Sequence, residues 1–423
     1  MNVLLSSIGT RGEVQPVLAL ALELRALGHH ASLCVPPNDE HWVESFGLRC
    51  FPIGPDLEKG LRGAGGDPAK PFKPTPEQRR QLGVATVRHQ FQVLGEAARG
   101  CDLVVGAGAL QIAARSVAEA LGIPYVFAAY CPVTFPSPEY PPLKMGIPHP
   151  QWLPAIGRVR RSPSRERRRF RLLWKDEARS FNEAFLVTLN EERAKLGLTA
   201  VDSVKPHIFT ERPWLCADPV LAPDASGAGV QIVQAGAWFL PDPSALPDDL
   251  ERFLANGEPP VYFGFGSMRG SQRTGRVLLE AARAVGLRAI FSRGWGNLEA
   301  ADAGSDCISI GDVNHERLFV RVAGVVHHGG AGTTTAAARA GQPQIIAPHM
   351  YDQFYFARRV QTLGVGVYAP RREHLTVNTM ISALRKCSSA DMKARARALA
   401  NRIIPNGATI AAERLAREFG GRS

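Results

Sequence analysis

Apolar runs at regular intervals divide the chain into alternating predicted strands and helices. A buried strand is predicted over Val3 to Ser7, a loop over Ile8 to Val14, and a helix from about Pro16 to Leu27 with Gly28 as its stop signal. The runs "ASLCVPP", "DLVVGAGA" and "IPYVFAAY" predict further strands, and a helix is predicted to end at Leu121. This alternation is typical of a parallel sheet covered on both faces.

The second half of the chain repeats the pattern. Strands are predicted at "PVYFGFGS", "RAIFSRG", "CISIGDV", "AGVVHHGG" and "PQIIAPH", with helices from about Thr274 to Val285, from His315, and through "TTTAAARAG". We therefore predict an α/β protein with two Rossmann-like, doubly wound domains that face each other across a cleft. Ligands of open α/β sheets bind at the carboxyl ends of the strands, so the cleft is the expected site.

Composition sets the predicted domain limits. Residues 222–246 are rich in Pro, Gly, Asp and Ser and predict a linker between an N-terminal domain, 1–221, and a C-terminal domain, 247–404. A last helix within 405–423 is expected to pack back on the N-terminal domain. The start "MNVLLSSIG" favours a buried strand over a signal peptide, and seven scattered cysteines without a C-x-x-C pair indicate reduced thiols, so we expect a cytoplasmic protein.

The positive charge of the chain, +11 with a pI near 9.6, fits an anionic ligand, nucleic acid or an acidic membrane surface. Eight arginines lie between Arg158 and Arg171, after a proline-rich loop that starts at Pro132. One interpretation is a solvated helix face. The other is a mobile acceptor lid that makes a weak contact with an acidic ligand or the inner face of the membrane through Trp152. Nucleic acid is disfavoured because the arginines lie in one run in which Phe170 is the only aromatic side chain, so a series of stacking platforms is missing.

The stretch "GVVHHGGAGTTTAAARAGQP", from Gly324 to Pro343, predicts an anion site at the start of a helix. The free N–H groups and the dipole of a helix start attract a diphosphate, and His328 with the threonine hydroxyls adds donors. His327 is expected to face the opposite side of the strand. A glycine-rich structural turn stays open as an alternative. A Walker loop is excluded because Gly-Lys-Ser/Thr is missing, and zinc is disfavoured because no third ligand has the right spacing.

Other candidate residues follow predicted strands, and each has a structural alternative. Glu13 is a catalytic carboxylate or a helix cap; Asp352 and Gln353 bind sugar hydroxyls or cap a helix; Trp295 stacks on a base or packs in the core; Ser267 is a phosphate donor in "FGFGSM". The glycines there do not fit G-x-G-x-x-G, which disfavours a nicotinamide cofactor. The chain has no Asp-x-Asp, the usual metal anchor for a diphosphate.

Taken in order, the motifs resemble those of family 1 glycosyltransferases of the GT-B fold. The similarity is strongest to the bacterial branch that acts on glycopeptide-antibiotic (vancomycin-type) aglycones, sterols and glycolipids. It covers nearly the whole chain, through "GTRGEVQP", "PPVYFGFGSM", "GDVNHERLF", "VVHHGGAGTT" and "PHMYDQFYFARRV" among others. The resemblance implies that the N-terminal domain binds the acceptor and the C-terminal domain binds the nucleotide sugar.

The resemblance also implies residue roles. The general base falls on Glu13, in a loop that reads Gly-Thr-Arg-Gly-Glu where the family usually has Gly-Ser-Arg-Gly-Asp, and the hexose ligands fall on Asp352 and Gln353. An acidic ribose ligand of the plant members is replaced by Ala336. The donor diphosphate is expected at Thr10, Gly12, Ser267, His328, Gly330, Ala331, Gly332, Thr333 and Thr334. The base and ribose are expected at Trp295, Val313 and His315, and the acceptor near Tyr130, Phe135, Tyr140 and Trp152.

The implied reaction is a metal-independent, inverting hexose transfer from a UDP- or dTDP-linked sugar, without a cofactor, to a hydrophobic or polycyclic natural-product aglycone such as a glycopeptide, polyketide or macrocycle. A sterol or glycolipid is the alternative acceptor. Two other activities stay open: a nucleotide-sugar epimerase of the same fold, which needs no acceptor lid, and a non-catalytic nucleotide- or lipid-binding protein.

Overall fold

Two parallel sheets form the framework of the protein in a computed structural model, which describes residues 1–56, 75–142, 163–223, 230–266, 272–294, 298–302 and 304–421. The first sheet has the order β3-β2-β1-β4-β5-β6-β7 and the second β10-β9-β8-β11-β12-β13. Their strands are β1 (Asn2–Ser7), β2 (His30–Val35), β3 (Arg49–Pro52), β4 (Leu103–Ala107), β5 (Tyr125–Ala129), β6 (Trp214–Leu215), β7 (Val233–Gln234), β8 (Val261–Gly264), β9 (Ala289–Ser292), β10 (Cys307–Ile310), β11 (Gly324–His327), β12 (Gln344–Ile346) and β13 (Gly366–Tyr368). The predicted α/β class with two doubly wound sheets is confirmed.

Helices cover the sheets. They are α1 (Arg11–Ala26), α2 (Glu40–Glu44), α3 (Pro76–Ala97), α4 (Ala114–Leu121), α5 (Pro163–Lys195), α6 (Val204–Phe209), α7 (Asp248–Ala255), α8 (Gln272–Ala284), α9 (His315–Phe319), α10 (Ala331–Arg339), α11 (Gln353–Thr362), α12 (Val377–Cys387), α13 (Ala390–Ala400) and α14 (Gly407–Phe419). Short 3₁₀ helices span Pro37–Asp39, Pro132–Thr134 and Arg372–His374. Among the described helices, none combines the length and apolar character needed to cross a membrane.

Alternating side chains of β1 enter two cores. Val3 and Leu5 are fully buried with α1 and α14, whereas Leu4 belongs to the core beneath α3 and α4. This period of two is the geometry of a strand covered on both faces. It explains why the strand is apolar at every position from Val3 to Leu5.

The first helix begins earlier than its apolar pattern predicts. α1 starts at Arg11, so Glu13 and Val14 are helical and the predicted loop over Ile8 to Val14 is too long. Thr10 is the N-cap, and the Glu13 carboxylate accepts the Thr10 N–H at 2.8 Å. The Thr-x-x-Glu spacing of a capping box is the sequence signal that would have given the correct start.

The chain passes between the two sheets twice. Strand β7 lies inside the range predicted as linker, so the chain is still part of the first sheet at Gln234. After α13 the chain returns, and α14 packs on α1 with Ala412 and Leu415 fully buried. The two crossings touch: a Cβ on Gly407 would lie 2.3 Å from the Ala237 carbonyl oxygen, so only glycine fits there.

Candidate active site

The second sheet reverses its strand order between β8 and β11, and the predicted anion-binding loop lies at this point. β9 flanks β8 on one side and β11 on the other, so the connections that follow β8 and β11 lead to opposite faces and leave a crevice. Gly266 follows β8 and His328 follows β11, and a Cβ on Gly266 would come within 3.1 Å of the His328 ring. The glycine therefore lets the two loops meet.

The two adjacent histidines have opposite surroundings. His327 is fully buried; its Nδ1 accepts the Gly329 N–H at 3.1 Å, and its Nε2–H donates to Gln344 Oε1 at 2.9 Å. Gln344 in turn donates to the Thr334 carbonyl oxygen at 3.1 Å. Burial lowers the pKa of His327 to about 3, which keeps the ring neutral, as this network requires. His327 thus fixes the loop from inside.

His328 is turned toward the crevice. Its Nε2 would lie only 2.6 Å from a Cβ on Gly330, so that glycine is required for the ring position. Burial lowers the pKa of His328 to about 4, and the positive charge of Arg372 contributes to the decrease. The ring is neutral at pH 7 and offers a ligand a hydrogen bond, not a full charge.

Helix α10 begins in the same crevice, with Gly330 as its N-cap. Gly332 is exposed and Thr333 half-buried, so their N–H groups are available to a ligand. Thr334 requires a correction. It is fully buried, its N–H donates to the Gly330 carbonyl oxygen at 3.0 Å and its hydroxyl donates to the same oxygen at 2.8 Å, so it has no donor left for a phosphate.

Asp352 lies beside the start of α10 and is the N-cap of α11. Burial raises the pKa of its carboxyl group to about 7, the charge of Glu13 adds to the increase, and backbone N–H groups including that of Ala331 counteract it. The preceding residue, Tyr351, has a left-handed backbone with φ of 50°, a strained conformation that turns the chain into this position. Sequence reasoning missed Tyr351.

The Gln353 side chain supports the loop before Asp352. Its Oε1 accepts the N–H groups of His349 at 2.8 Å and Met350 at 3.0 Å. Only the amide NH₂ of Gln353 is then available to a sugar hydroxyl.

Glu13 comes from the other domain. Its Oε2 accepts both the N–H and the hydroxyl of Thr10 at 2.8 Å, and burial nevertheless raises its pKa. Gly9 makes room for the carboxyl group, since a Cβ there would lie 2.7 Å from it. Glu13 therefore caps α1 and presents a carboxylate to the cleft; one function does not exclude the other.

Contacts across the cleft hold the domains together. Arg11 Nη1 binds Asp312 Oδ2 at 2.7 Å while its guanidinium lies 4.5 Å from the Trp42 ring centre. The Tyr140 ring packs edge-on against Tyr355 of α11 at 5.3 Å. Sequence reasoning did not single out Arg11, because its partner lies 301 residues away.

The remaining predicted residues divide into three groups. Tyr130 donates its hydroxyl to the Glu13 carbonyl oxygen at 3.0 Å and, like Tyr140, lies at the cleft. Phe135 requires a correction, because it is 1% exposed and packs against Phe127 and Phe209 in the core, so it does not line an acceptor site. Ser267, Trp295 and Trp152 lie outside the described residues.

His315 is predicted to bind the nucleobase and ribose of the donor, but its ring already contacts other side chains. It stacks on Phe319 at 4.6 Å, and its Nε2 lies 3.2 Å from the Tyr262 hydroxyl. Burial lowers its pKa to about 4. Val313, two residues earlier, is half-buried and packs on the same core. Asn314 lies between them and caps α9.

One acidic cluster resembles a metal site. Asp302, Asp306 and Cys307 lie together, but Arg283 binds both carboxylates at 2.7 to 2.8 Å. Cys307 begins β10, so the cluster is at the edge of the sheet opposite the crevice. Arg283 offsets one of its two negative charges, and the cluster lies outside the candidate site.

Comparison with known proteins identifies both halves of the chain. Residues 3–137 match the glycosyltransferase family 28 N-terminal domain, and residues 306–412 match the erythromycin biosynthesis protein CIII-like C-terminal domain. The vancomycin aglycone glucosyltransferase of Amycolatopsis orientalis is 42% identical over 98% of this chain and 97% of the relative. The dTDP-epi-vancosaminyltransferase of the same organism is 36% identical over 94% and 92%. The crystal structure of the kitacinnamycin glycotransferase has the same fold, with a TM-score of 0.70 at 18% identity over 99% of each chain.

Proposed function

Because the chain belongs to the glycopeptide-antibiotic glycosyltransferases of the GT-B fold, we propose that it moves a hexose from a UDP- or dTDP-linked sugar to a hydroxyl of a natural-product aglycone. A glycopeptide, polyketide or macrocycle is the proposed acceptor. One observation carries the proposal: the charge of Glu13, in the first domain, acts on Asp352, which lies beside the start of α10 in the second. In the proposal Glu13 is the base and the start of α10 is the anion site.

Glu13 is the proposed general base. The acceptor oxygen attacks the anomeric carbon from the face opposite the nucleotide, its proton passes to the Glu13 carboxylate, and the bond to the diphosphate breaks. The configuration at the anomeric carbon is inverted. The raised pKa supports this role, because it makes the carboxylate a stronger base than a solvated glutamate.

The leaving diphosphate is the proposed ligand of the crevice. The free N–H groups of Gly332 and Thr333, the dipole of α10 and the neutral His328 ring stabilise the charge that develops as the bond breaks. Gly12 and Ser267 stay in the proposal through the resemblance alone. Thr10 does not, because its N–H and its hydroxyl both donate to Glu13 Oε2 and leave no donor for a phosphate. The proposed reaction uses neither a cofactor nor a metal; its support is that the chain lacks Asp-x-Asp, the usual metal anchor at a diphosphate.

Asp352 and Gln353 are the proposed hexose ligands. The Asp352 carboxylate accepts sugar hydroxyls, and the free NH₂ of Gln353 donates to a sugar oxygen. Hydroxyl groups that donate to Asp352 would lower its pKa and favour the ionised form in the donor complex.

A sterol or glycolipid is the second candidate acceptor, with a weak contact at the membrane. The observation that favours it is the start of α5, where Leu172 is 54% exposed beside the exposed arginines 165, 167, 168 and 171. Sedimentation with vesicles of phosphatidylglycerol and phosphatidylcholine tests this contact. The wild type is expected to sediment with the vesicles and Leu172→Ser to remain in the supernatant; a wild type that does not sediment would contradict the contact.

The two full-length relatives are transferases, which favours transfer over epimerisation or binding without catalysis. The test is a screen of UDP- and dTDP-sugars against glycopeptide, polyketide, macrocycle and sterol acceptors, with products identified by mass. A product heavier by one sugar residue supports the proposal and names both substrates. Interconversion of the sugar without an acceptor would instead favour an epimerase.

A further inference from the structure

Arg372 lies far from the predicted site in sequence but reaches its centre. It follows β13, the last strand of the second sheet, yet its guanidinium carbon lies 5.9 Å from the ring centre of Phe265, which directly follows β8. In the strand order β8-β11-β12-β13, two strands separate β13 from β8. The Arg372 side chain therefore reaches across the carboxyl ends of β11 and β12. The charge therefore lies over the reversal point of the sheet.

Arg372 and His328 lie at the same point of the second sheet, where its strand order reverses. The positive charge of Arg372 helps to lower the pKa of His328, and Gly266, next to Phe265, is in contact range of the same imidazole. Three strand ends thus bring a guanidinium, an imidazole and a glycine loop together. The start of α10 follows His328 by three residues and completes the cluster.

Apart from the Phe265 ring, the described residues offer no partner for the charge of Arg372. Its Nη1 is buried without a hydrogen bond, and no ion pair joins it to a carboxylate. The adjacent Glu373 is bound to His349 at 2.5 Å and lies 3.8 Å from Arg371. Burial lowers the pKa of Arg372 and the charge of Glu373 only partly offsets this, which shows that the site disfavours an isolated cation. Arg372 is half-buried, and its buried, unpaired Nη1 favours a bound anion, which no described residue supplies.

We propose that Arg372 binds the diphosphate of the nucleotide sugar, next to His328, and supplies the full positive charge that the neutral imidazole lacks. The inference rests on the proposed function. A guanidinium matches phosphate oxygens with two parallel hydrogen bonds, which a lysine cannot reproduce. As the bond to the anomeric carbon breaks, its electron pair moves to the diphosphate, and Arg372 stabilises the added charge.

The test is calorimetric binding of UDP, dTDP, uridine and thymidine to the full chain and to three variants. Arg372→Gln is expected to weaken the better-bound diphosphate by about 10- to 100-fold and to leave its nucleoside unchanged. Arg372→Lys is expected to recover part of the loss. Arg385→Gln removes an exposed arginine of α12 and is the matched control, with no change in affinity. Added salt should weaken diphosphate binding more in the wild type than in Arg372→Gln.

The outcomes of this experiment distinguish the role proposed for Arg372 from the proposed glycosyl transfer. Unchanged diphosphate affinity in Arg372→Gln, or equal weakening of diphosphate and nucleoside, overturns the role of Arg372 and leaves the proposed function intact. A wild type that binds neither diphosphate overturns both. If Arg372→Gln does not fold, Arg372→Lys and the salt dependence of the wild type decide.

Discussion

The charge of Glu13 acts on Asp352 across the cleft between the domains. Burial is the larger cause of the raised pKa of Asp352, and Glu13, which follows a strand of the other sheet, adds to it. After burial, the charge of Asp352 contributes in turn to the raised pKa values of Cys131 and, together with Glu13, of Tyr351. Two neighbouring carboxylates repel each other, and hydrogen-bond donors stabilise their charged forms. The cleft therefore favours ligands that donate hydrogen bonds, as sugar and acceptor hydroxyls do.

Asp352 predicts a pH dependence of stability. Its folded pKa of about 7 exceeds the unfolded value near 3.8, so the folded state binds more protons between these values and the free energy of unfolding falls as pH rises through that window. In the wild type this decrease in the free energy of unfolding should amount to roughly 1 to 4 kcal/mol, and it should be absent in Asp352→Asn. Urea unfolding at pH 4.5 and 7 checks this. A wild type and variant with the same pH profile would contradict the raised pKa.

Glu13→Gln separates catalysis from helix capping. The amide oxygen of the substituted side chain still accepts the Thr10 N–H, so the thermal midpoint is expected to stay within about 2 °C. The amide cannot take a proton, and kcat should fall by about 10²- to 10⁴-fold. UDP or dTDP affinity should be retained. A variant with full activity would exclude Glu13 as the base.

Gly9→Ala should displace the Glu13 carboxylate without changing its chemistry. The new Cβ would lie 2.7 Å from that group, so we expect a loss of transfer of about tenfold or more with nucleotide binding retained. Gly95→Ala on α3 is the control, since no atom lies within 4 Å of its added Cβ and the change should stabilise the helix by about 0.5 to 1 kcal/mol. Equal activity in both variants would show that the position of Glu13 is unimportant.

The adjacent histidines should respond differently to substitution. His327→Ala leaves Gln344 and the Gly329 N–H without their buried partner and should lower the free energy of unfolding by about 1 to 3 kcal/mol. His328→Ala should have a smaller effect on stability and reduce kcat by roughly 10²- to 10³-fold. Urea unfolding and initial rates measure the two effects. A larger loss of stability in His328→Ala together with a larger loss of kcat in His327→Ala would contradict this assignment.

The sequence predicts the framework better than the site. Apolar periodicity gives the strands, and the chemistry of Glu13, His328 and Asp352 is visible because each follows an apolar run. The burial of Thr334 was not predictable from composition, because helix phase decides whether its hydroxyl turns back to Gly330. Arg372 was missed for a related reason. Its position depends on the order of the strands, which adjacent sequence does not encode.

Transfer with Glu13 as the general base is tested by the release of UDP or dTDP from a nucleotide sugar, measured with and without an aglycone, for the wild type and Glu13→Gln. We expect rapid release by the wild type only when the aglycone is present, with one glycosylated product for each nucleotide diphosphate. Release by Glu13→Gln should be slower by at least about 10²-fold. Release that is independent of the aglycone, or equal in the two proteins, would contradict transfer with Glu13 as the base.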